Sequence, residues 1–256
     1  MMLRRISTAR VCLIVLALLI FASVPVSAQT ARTPTDTVRQ FYQLMREQKF
    51  REAFNLSIYK PAIDPLSPQE FEDLRTDFMK MAGAIPEKVE LTGEQISGDA
   101  ATVFVKVKQA DGTEQSEPAS LMKVDGNWII GDRDNLAIVK KAGKDFFFNA
   151  RIDTHHNEVQ SMFQRIVLVQ VVYSQQHNGQ YGTMAELIAG GLLPKDLESP
   201  DSTGYVFHVN RSTDGKSWYA TAEPAQYGKT GKLSFFLDAA GVRSADVGGK
   251  PLEVKN

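Results

Sequence analysis

The stretch "RIVLVQVVYSQQ", residues 165–176, decides how the second half of this chain folds. It continues a helical seam that starts at Arg151, because apolar residues recur there at three- and four-residue spacing. The seam comprises Ile152, Val159, Phe163, Ile166, Val169 or Gln170, and Tyr173. The part from Ile166 to Val172 is apolar on nearly every side, so we expect other structure to cover it.

The next stretch, "QYGTMAELIAGGLLPKDL" at 180–197, indicates a hinge at Tyr181–Gly182 and a short helix from Met184 to Ala189. Gly190, Gly191 and Pro194 then end that helix. Three alternating strands follow, "GYVFHVN" at 204–210, "WYATAEP" at 218–224 and "KLSFFLD" at 232–238, with glycine-containing turns between them.

This order of elements, with a tail that reads "SFFLDAAGV" at 234–242, resembles the globular domain of type IV pilins and type II secretion pseudopilins. The resemblance implies that residues 151–256 form a pilin-like domain, in which a long helix packs on a small antiparallel sheet. Pilins begin with a helix of about 20 apolar residues or more that can span a membrane. The corresponding segment here is internal and shorter, so the resemblance implies a pilin-like head used as a soluble module.

The first half begins with helices. Thr33 suits an N-cap and Pro34 the first helical position, and Ser67 with Glu70 has the spacing of a capping box ahead of a helix at 67–83. We expect Phe71, Leu74, Phe78 and Met81 to form the buried face of that helix. After Pro86 the apolar period becomes two, which predicts four strands between Glu87 and Asp132.

Helices followed by an antiparallel sheet that ends in the hairpin "VDGNWIIGD", residues 124–132, resemble the NTF2-like superfamily, and within it the lumazine-binding-like and SnoaL-like group. The resemblance implies that residues 33–133 form a cone of helices on a curled antiparallel sheet. The whole chain is therefore expected to be α+β. Such cones often enclose an apolar pocket, which Tyr42, Phe54, Phe78, Met81 and Trp128 would line; the alternative is that these side chains form ordinary core.

Residues 134–150 join the two predicted domains and contain Phe146, Phe147 and Phe148. Three consecutive phenylalanines are too apolar for a free linker. We expect this aromatic linker to pack as a hydrophobic latch on one or both domains; a membrane-touching tip is the alternative.

Residues 1–28 have the layout of a signal peptide: a basic head, an apolar core and the small-residue site "VSA" ahead of Gln29. An uncleaved anchor is the alternative, although the apolar core is shorter than the roughly 20 residues of a spanning helix. Cleavage near Ala28 predicts a periplasmic or extracellular protein without a transmembrane segment. It also removes Cys12, the one cysteine of the chain, so disulfides would not stabilise the mature form.

The charge pattern gives no footprint for nucleic acid. Cleavage removes Arg4, Arg5 and Arg10, which leaves 26 basic against 30 acidic side chains spread along the chain. Nothing in the sequence predicts a cofactor.

No catalytic or metal-binding constellation emerges from the sequence. His155 and His156 are adjacent on a predicted helix, point about 100° apart, and are expected to be exposed rather than to share a metal. Asp238 and Asp246 flank a glycine-containing loop where the pilin resemblance allows a calcium site, although turn formation is the simpler role for these acids. A Gly-x-Ser-x-Gly motif is absent.

The sequence therefore favours a non-enzymatic envelope protein that binds a protein partner or helps an assembly. The alternative hypothesis is a small-molecule carrier or an enzyme that uses the cone, with a small apolar ligand in its pocket.

Overall fold

A computed structural model describes residues 32–86, 88–108 and 112–253, so the predicted signal peptide lies outside the described residues. The described chain is α+β, with two antiparallel four-stranded sheets and one long helix, which confirms the predicted fold class. The helices are α1 (Pro34–Arg46), α2 (Phe50–Phe54), α3 (Lys60–Ile63), α4 (Pro68–Asp73), α5 (Arg75–Gly83), α6 (Arg133–Ala142), α7 (Phe146–Gln176) and α8 (Met184–Ala189). The strands are β1 (Glu90–Ser97), β2 (Ala100–Lys108), β3 (Glu114–Val124) and β4 (Asn127–Ile130), then β5 (Tyr205–Arg211), β6 (Trp218–Pro224), β7 (Leu233–Asp238) and β8 (Gly241–Asp246).

The first sheet is a meander in the order β1-β2-β3-β4, and α1 packs on one of its faces. Val103 and Val105 are buried on that face, while Phe104 between them points to the wetter side, as the period of two predicts. Val38 of α1 and Trp128 of β4 join these valines in one apolar cluster. The sheet and α1 therefore share a core.

Two predicted helix caps are confirmed. The Thr33 hydroxyl accepts a hydrogen bond from the Asp36 amide, and Ser67 and Glu70 form a reciprocal capping box. The helix predicted at 67–83 is instead two helices, α4 and α5, which meet at Leu74. Leu74 and Phe78 are buried and Phe71 is partly buried, as predicted, but Met81, near the C-terminal end of α5, is 37% exposed.

The segment at 134–150 is helical rather than a plain connection. α6 occupies most of it, and α7 begins at Phe146, earlier than the start expected at Arg151. Phe147 and Phe148 are buried in the apolar cluster that contains Phe54 and Phe78. The aromatic residues therefore belong to the core of the first half; the domain boundaries themselves stay a prediction.

The second sheet has the order β5-β6-β7-β8, one strand more than the three predicted. Its inner face packs against α7, whose Val159, Phe163 and Ile166 are fully buried together with Tyr205 and Phe235 of the strands. β8 pairs with β7 along its whole length but remains largely exposed. The alternation that marks a half-buried strand is therefore missing from β8.

The side chain of Gln170 pairs with buried backbone groups at the hinge between α7 and α8. Its side-chain amide donates to the carbonyl oxygen of Gly182 (2.7 Å), and its side-chain oxygen accepts from the Gly182 amide (2.8 Å). Both residues are buried, so these bonds satisfy backbone groups that water does not reach. A Cβ on Gly182 would stand 2.9 Å from Leu187 Cδ2, which explains why glycine occupies the hinge.

Ion pairs tie the second half to α4 and α5. Arg151, near the start of α7, pairs with the Asp77 carboxylate and donates to the Asp73 carbonyl oxygen. Lys229, between β6 and β7, lies 2.5 Å from the Asp73 carboxylate. α7 and the β6–β7 connection are thus both anchored to the same pair of short helices.

We predict that Gln170→Leu lowers the free energy of unfolding by roughly 2–4 kcal/mol, because it leaves two buried backbone groups of Gly182 without partners. Urea unfolding followed by circular dichroism measures the loss. Gln160→Leu, at an exposed position of the same helix, is the control and should change stability by less than about 0.5 kcal/mol. Equal losses in both variants would contradict this role for Gln170.

Candidate functional site

The outer face of α7 is the largest departure from the sequence-based expectation. Instead of being covered, Leu168 is 68% exposed and Val171 is 50% exposed, and Val167 and Val172 are also exposed. The opposite face of the same segment packs on the second sheet through Ile166, Gln170 and Tyr173. In the part of the chain that the structure describes, one side of the run is covered and the other is not, so the prediction that other structure covers the whole run was wrong.

The exposed side of α7 carries a regular seam. Its residues follow a four-three-four-three spacing, the heptad pattern that lines one face of a helix for contact with another helix. They are all exposed and uncharged: Asn157, Ser161, Gln164, Leu168, Val171 and Gln175, called here the outer seam. Val167 and Val172 flank it, which widens its apolar middle.

Charge is absent from this part of the surface for a long distance along the chain. Between Arg165 and Glu186 there is no Asp, Glu, Lys or Arg. An exposed helix ordinarily carries charged side chains on its outer face. Contiguous exposed apolar residues that polar residues border are typical of a protein-binding site.

A groove of about 620 Å³ runs beside the N-terminal part of the outer seam. The seam residues Asn157 and Ser161 form one wall, and the segment that leads into β5 forms the other. Its charged lining residues are Glu158, Arg165 and Asp196. The N-terminal end of the outer seam therefore borders a groove with charged lining residues, whereas the middle of the seam is apolar.

The five residues expected to line a cone pocket lie in three surroundings. Phe54 and Phe78 are fully buried and their rings contact each other, with centroids 5.0 Å apart. Trp128 is buried and Tyr42 half-buried in the cluster between α1 and the first sheet, whereas Met81 is on the surface. The structure thus brings together Phe54 with Phe78, and Tyr42 with Trp128, but not the five as one group.

Two of these residues do border cavities, though separate ones. Tyr42 lines a cavity of about 520 Å³ between α1 and β1. Trp128 lines another of about 330 Å³ at the β3–β4 hairpin, with Leu56, Val124 and Leu136 as apolar walls. The second cavity also has basic side chains in its lining, namely Arg32, Lys60 and Lys140.

His155 and His156 are half-buried rather than exposed, and both contact the segment that enters β7. Nδ1 of His155 lies 2.8 Å from the Thr230 carbonyl oxygen. Nε2 of His156 accepts hydrogen bonds from the backbone amides of Lys232 and Leu233, at 3.3 and 3.4 Å. Burial is the largest influence on the His156 imidazole and lowers its pKa below the ordinary value of 6.5.

Asp238 and Asp246 lie at opposite ends of the β7–β8 hairpin, so they do not share one ion-binding loop. Asp238 accepts from the Ala240 amide, and Asp246 accepts from the Tyr227 hydroxyl and the Gly248 amide. Both carboxylates thus serve turn and loop structure. Over the part of the chain that the structure describes, His, Cys, Asp and Glu side chains form no group of three placed to share a metal ion.

Comparison with known proteins gives few relatives. No protein-family model matches the chain, and no curated protein matches it. Among solved structures, a Campylobacter jejuni protein described as an NTF2-like transpeptidase aligns with 40% of this chain and 99% of its own length, at 14% identity and a TM-score of 0.28. Within the described ranges, no helix combines the length and apolarity that crossing a membrane requires.

The burial of His156 predicts a pH dependence of stability. A histidine whose pKa is lowered by folding is neutral in the native state, so the unfolded chain binds more protons and stability falls as the pH drops through about 6.5. We expect His156→Gln to show a shallower loss of unfolding free energy between about pH 7.5 and about pH 5.5. Urea unfolding at several pH values measures the slope.

Gln160→Ala is the matched control, because it changes an exposed, non-titratable side chain of the same helix. Its slope should equal that of the wild type. If His156→Gln retained the wild-type slope, another group would carry the dependence.

Proposed function

We propose that this chain is an exported, non-enzymatic envelope protein that binds a protein partner through the outer seam of α7. The observation that carries the proposal is the exposure of Leu168 and Val171, with Val167 and Val172 beside them, on a helix whose other face is fully packed. The proposed export rests on the leader-like layout of residues 1–28. The NTF2-like and pilin-like resemblances are part of the proposal and describe a two-part scaffold for binding.

The size of the apolar patch is consistent with an interface core. Burying a whole Val or Leu side chain stabilises by about 1.5–3 kcal/mol, so covering the exposed half of each contributes roughly 1 kcal/mol. Four such side chains offset the lower end of the association cost, which is about 4 kcal/mol. Hydrogen bonds from Gln164 and Gln175 at the patch ends would add orientation.

The proposal predicts site-specific cross-linking in cells. The full chain is expressed in its own host with Leu168 replaced by p-benzoylphenylalanine and is irradiated in intact cells. We expect a discrete protein adduct, because the partner would cover this position. The matched control places the same group at Ile138, which is 58% exposed on α6.

An additional Val171→Glu substitution should abolish the adduct, because it places a charge in the apolar contact. Ile138→Glu should not abolish it. The same gel reports whether the leader has been removed in the envelope fraction. Identical adducts from positions 168 and 138, or none from either, would refute the proposal.

The cavity beside Trp128 favours a second function, the binding of a small molecule. Its volume of about 330 Å³ is within the range of ligand pockets, and apolar walls with nearby basic groups suit an apolar ligand that carries an anionic group. Lys140 and Arg32 are exposed, so they would remain available to such a ligand.

Native mass spectrometry of the gently purified chain tests this second function. We expect an adduct of a few hundred daltons that Leu136→Phe removes, because the larger side chain fills the cavity that Leu136 lines. Ile138→Phe, two residues further along α6, should retain the adduct. A bare mass for the wild type counts against ligand binding at this cavity.

A further inference from the structure

We infer that the partner on the outer seam is a second copy of this chain, with the two α7 helices packed antiparallel about a two-fold axis between Val169 and Gln170. This inference rests on the function proposed above, and it names the occupant of the same surface. It follows from the order of residues along the seam, from the charges at the seam's ends and from the spacing that the seam keeps.

The seam residues from Gln164 to Gln175 are arranged symmetrically. A two-fold axis between Val169 and Gln170 places Leu168 opposite Val171, and Gln164 opposite Gln175, of the other copy. The flanking residues obey the same symmetry, since Val167 comes opposite Val172. Apolar residues therefore meet apolar residues, and each amide side chain meets another amide, which is what an isologous interface requires.

The absence of charge favours contact between identical surfaces. A seam whose charges had one sign would bring like charges together across the two-fold axis and oppose self-association. The outer seam carries none, so two copies can meet without that repulsion. The contact therefore does not require a different protein with a complementary charge pattern.

The positive charge of Arg165, at the edge of the outer seam, is complementary to the partial negative charge at the C-terminal end of α7. The last turn of α7 contains no basic residue, and the C-terminal end of a helix carries partial negative charge from the helix dipole. In the antiparallel pair, Arg165 of each copy is level with residue 174 of the other, within that last turn. In the single chain, Arg165 makes a long contact of 3.4 Å with the Leu192 carbonyl oxygen.

The spacing of the seam also suits a helix pair. The residues from 157 to 175 keep the heptad pattern over roughly 27 Å of helix. The two helix dipoles oppose each other in an antiparallel pair, which is the favourable arrangement. Helices that pack through such seams lie about 8–10 Å apart.

Sedimentation velocity of the purified full chain is the first test. We expect a dimer for the wild type and for Ile138→Glu, and a monomer for Leu168→Glu with an unchanged far-ultraviolet circular dichroism spectrum. A wild-type monomer at high protein concentration would overturn the second-copy inference. The broader proposal of a protein partner would still stand or fall on the cross-link from position 168, so the two failures are distinguishable.

Thiol cross-linking tests the antiparallel register. All variants carry Cys12→Ser, so that the introduced cysteines are the only ones. Across the proposed interface Gln164 faces Gln175, whereas two copies of the same residue lie roughly 16 Å apart along the helix axis. A bismaleimide too short for that axial distance should link the Gln164→Cys/Gln175→Cys double variant into dimers and leave each single variant unlinked.

An equimolar mixture of the two single variants should also link, because half of its dimers pair the two cysteines. Linking of each single variant with itself would indicate a parallel pair and overturn the inferred geometry. A dimer that the double variant fails to link would place the interface elsewhere and overturn it as well.

Discussion

The packing of α7 is the constraint on which the rest of this structure depends. This one helix has 31 residues and a length of about 46 Å, and it supplies side chains to two apolar cores. Phe147 and Phe148 fill the first core, beside Phe54 and Phe78, and Phe163 and Ile166 fill the second, against β5 and β7. Because the backbone between them is continuous helix, the rotation of the first part determines which face the last part presents to the second sheet.

That continuity accounts for the exposure of the outer seam. Helical geometry allows α7 to bury about one stripe against a single small sheet. The stripe from Val159 to Tyr173 occupies it, so Leu168 and Val171, on the other side, remain exposed among the described residues. An apolar outer face on such a helix adds no stability to the single chain, which is why binding offers the better physical account of it.

In the described residues, the main effect of the polar contacts is to orient the segments that surround α7. Gln170 holds the hinge at Gly182, Arg151 and Lys229 attach to α4 and α5, and His155 and His156 contact the start of β7. Each of these side chains already has its partners within the fold. The outer seam of α7 and the cavity at Trp128 are therefore the places where the described chain can still bind another molecule.

Local signals in the sequence determined most of the elements. The caps at Thr33 and Ser67, the alternation through Val103 and Val105, and the glycine turns specify their elements because each depends on interactions within a few residues. β8 was not predicted, because it is an edge strand whose exposed residues lack the alternation that burial creates. The break at Leu74 and the early start of α7 were also missed, since packing between distant segments decides them.

The candidate site also combines features that the sequence predicted with features that only the tertiary structure decided. The sequence by itself placed Ile166, Val169 or Gln170, and Tyr173 on one helical seam, and Ile166, Gln170 and Tyr173 are buried in the structure. Only the tertiary structure decided that the other side of this nearly apolar run stays exposed, because that depends on which elements lie against the helix. It likewise separated Tyr42 and Trp128 from Phe54 and Phe78, and it buried His156, since such neighbours come from parts of the chain that no local pattern connects.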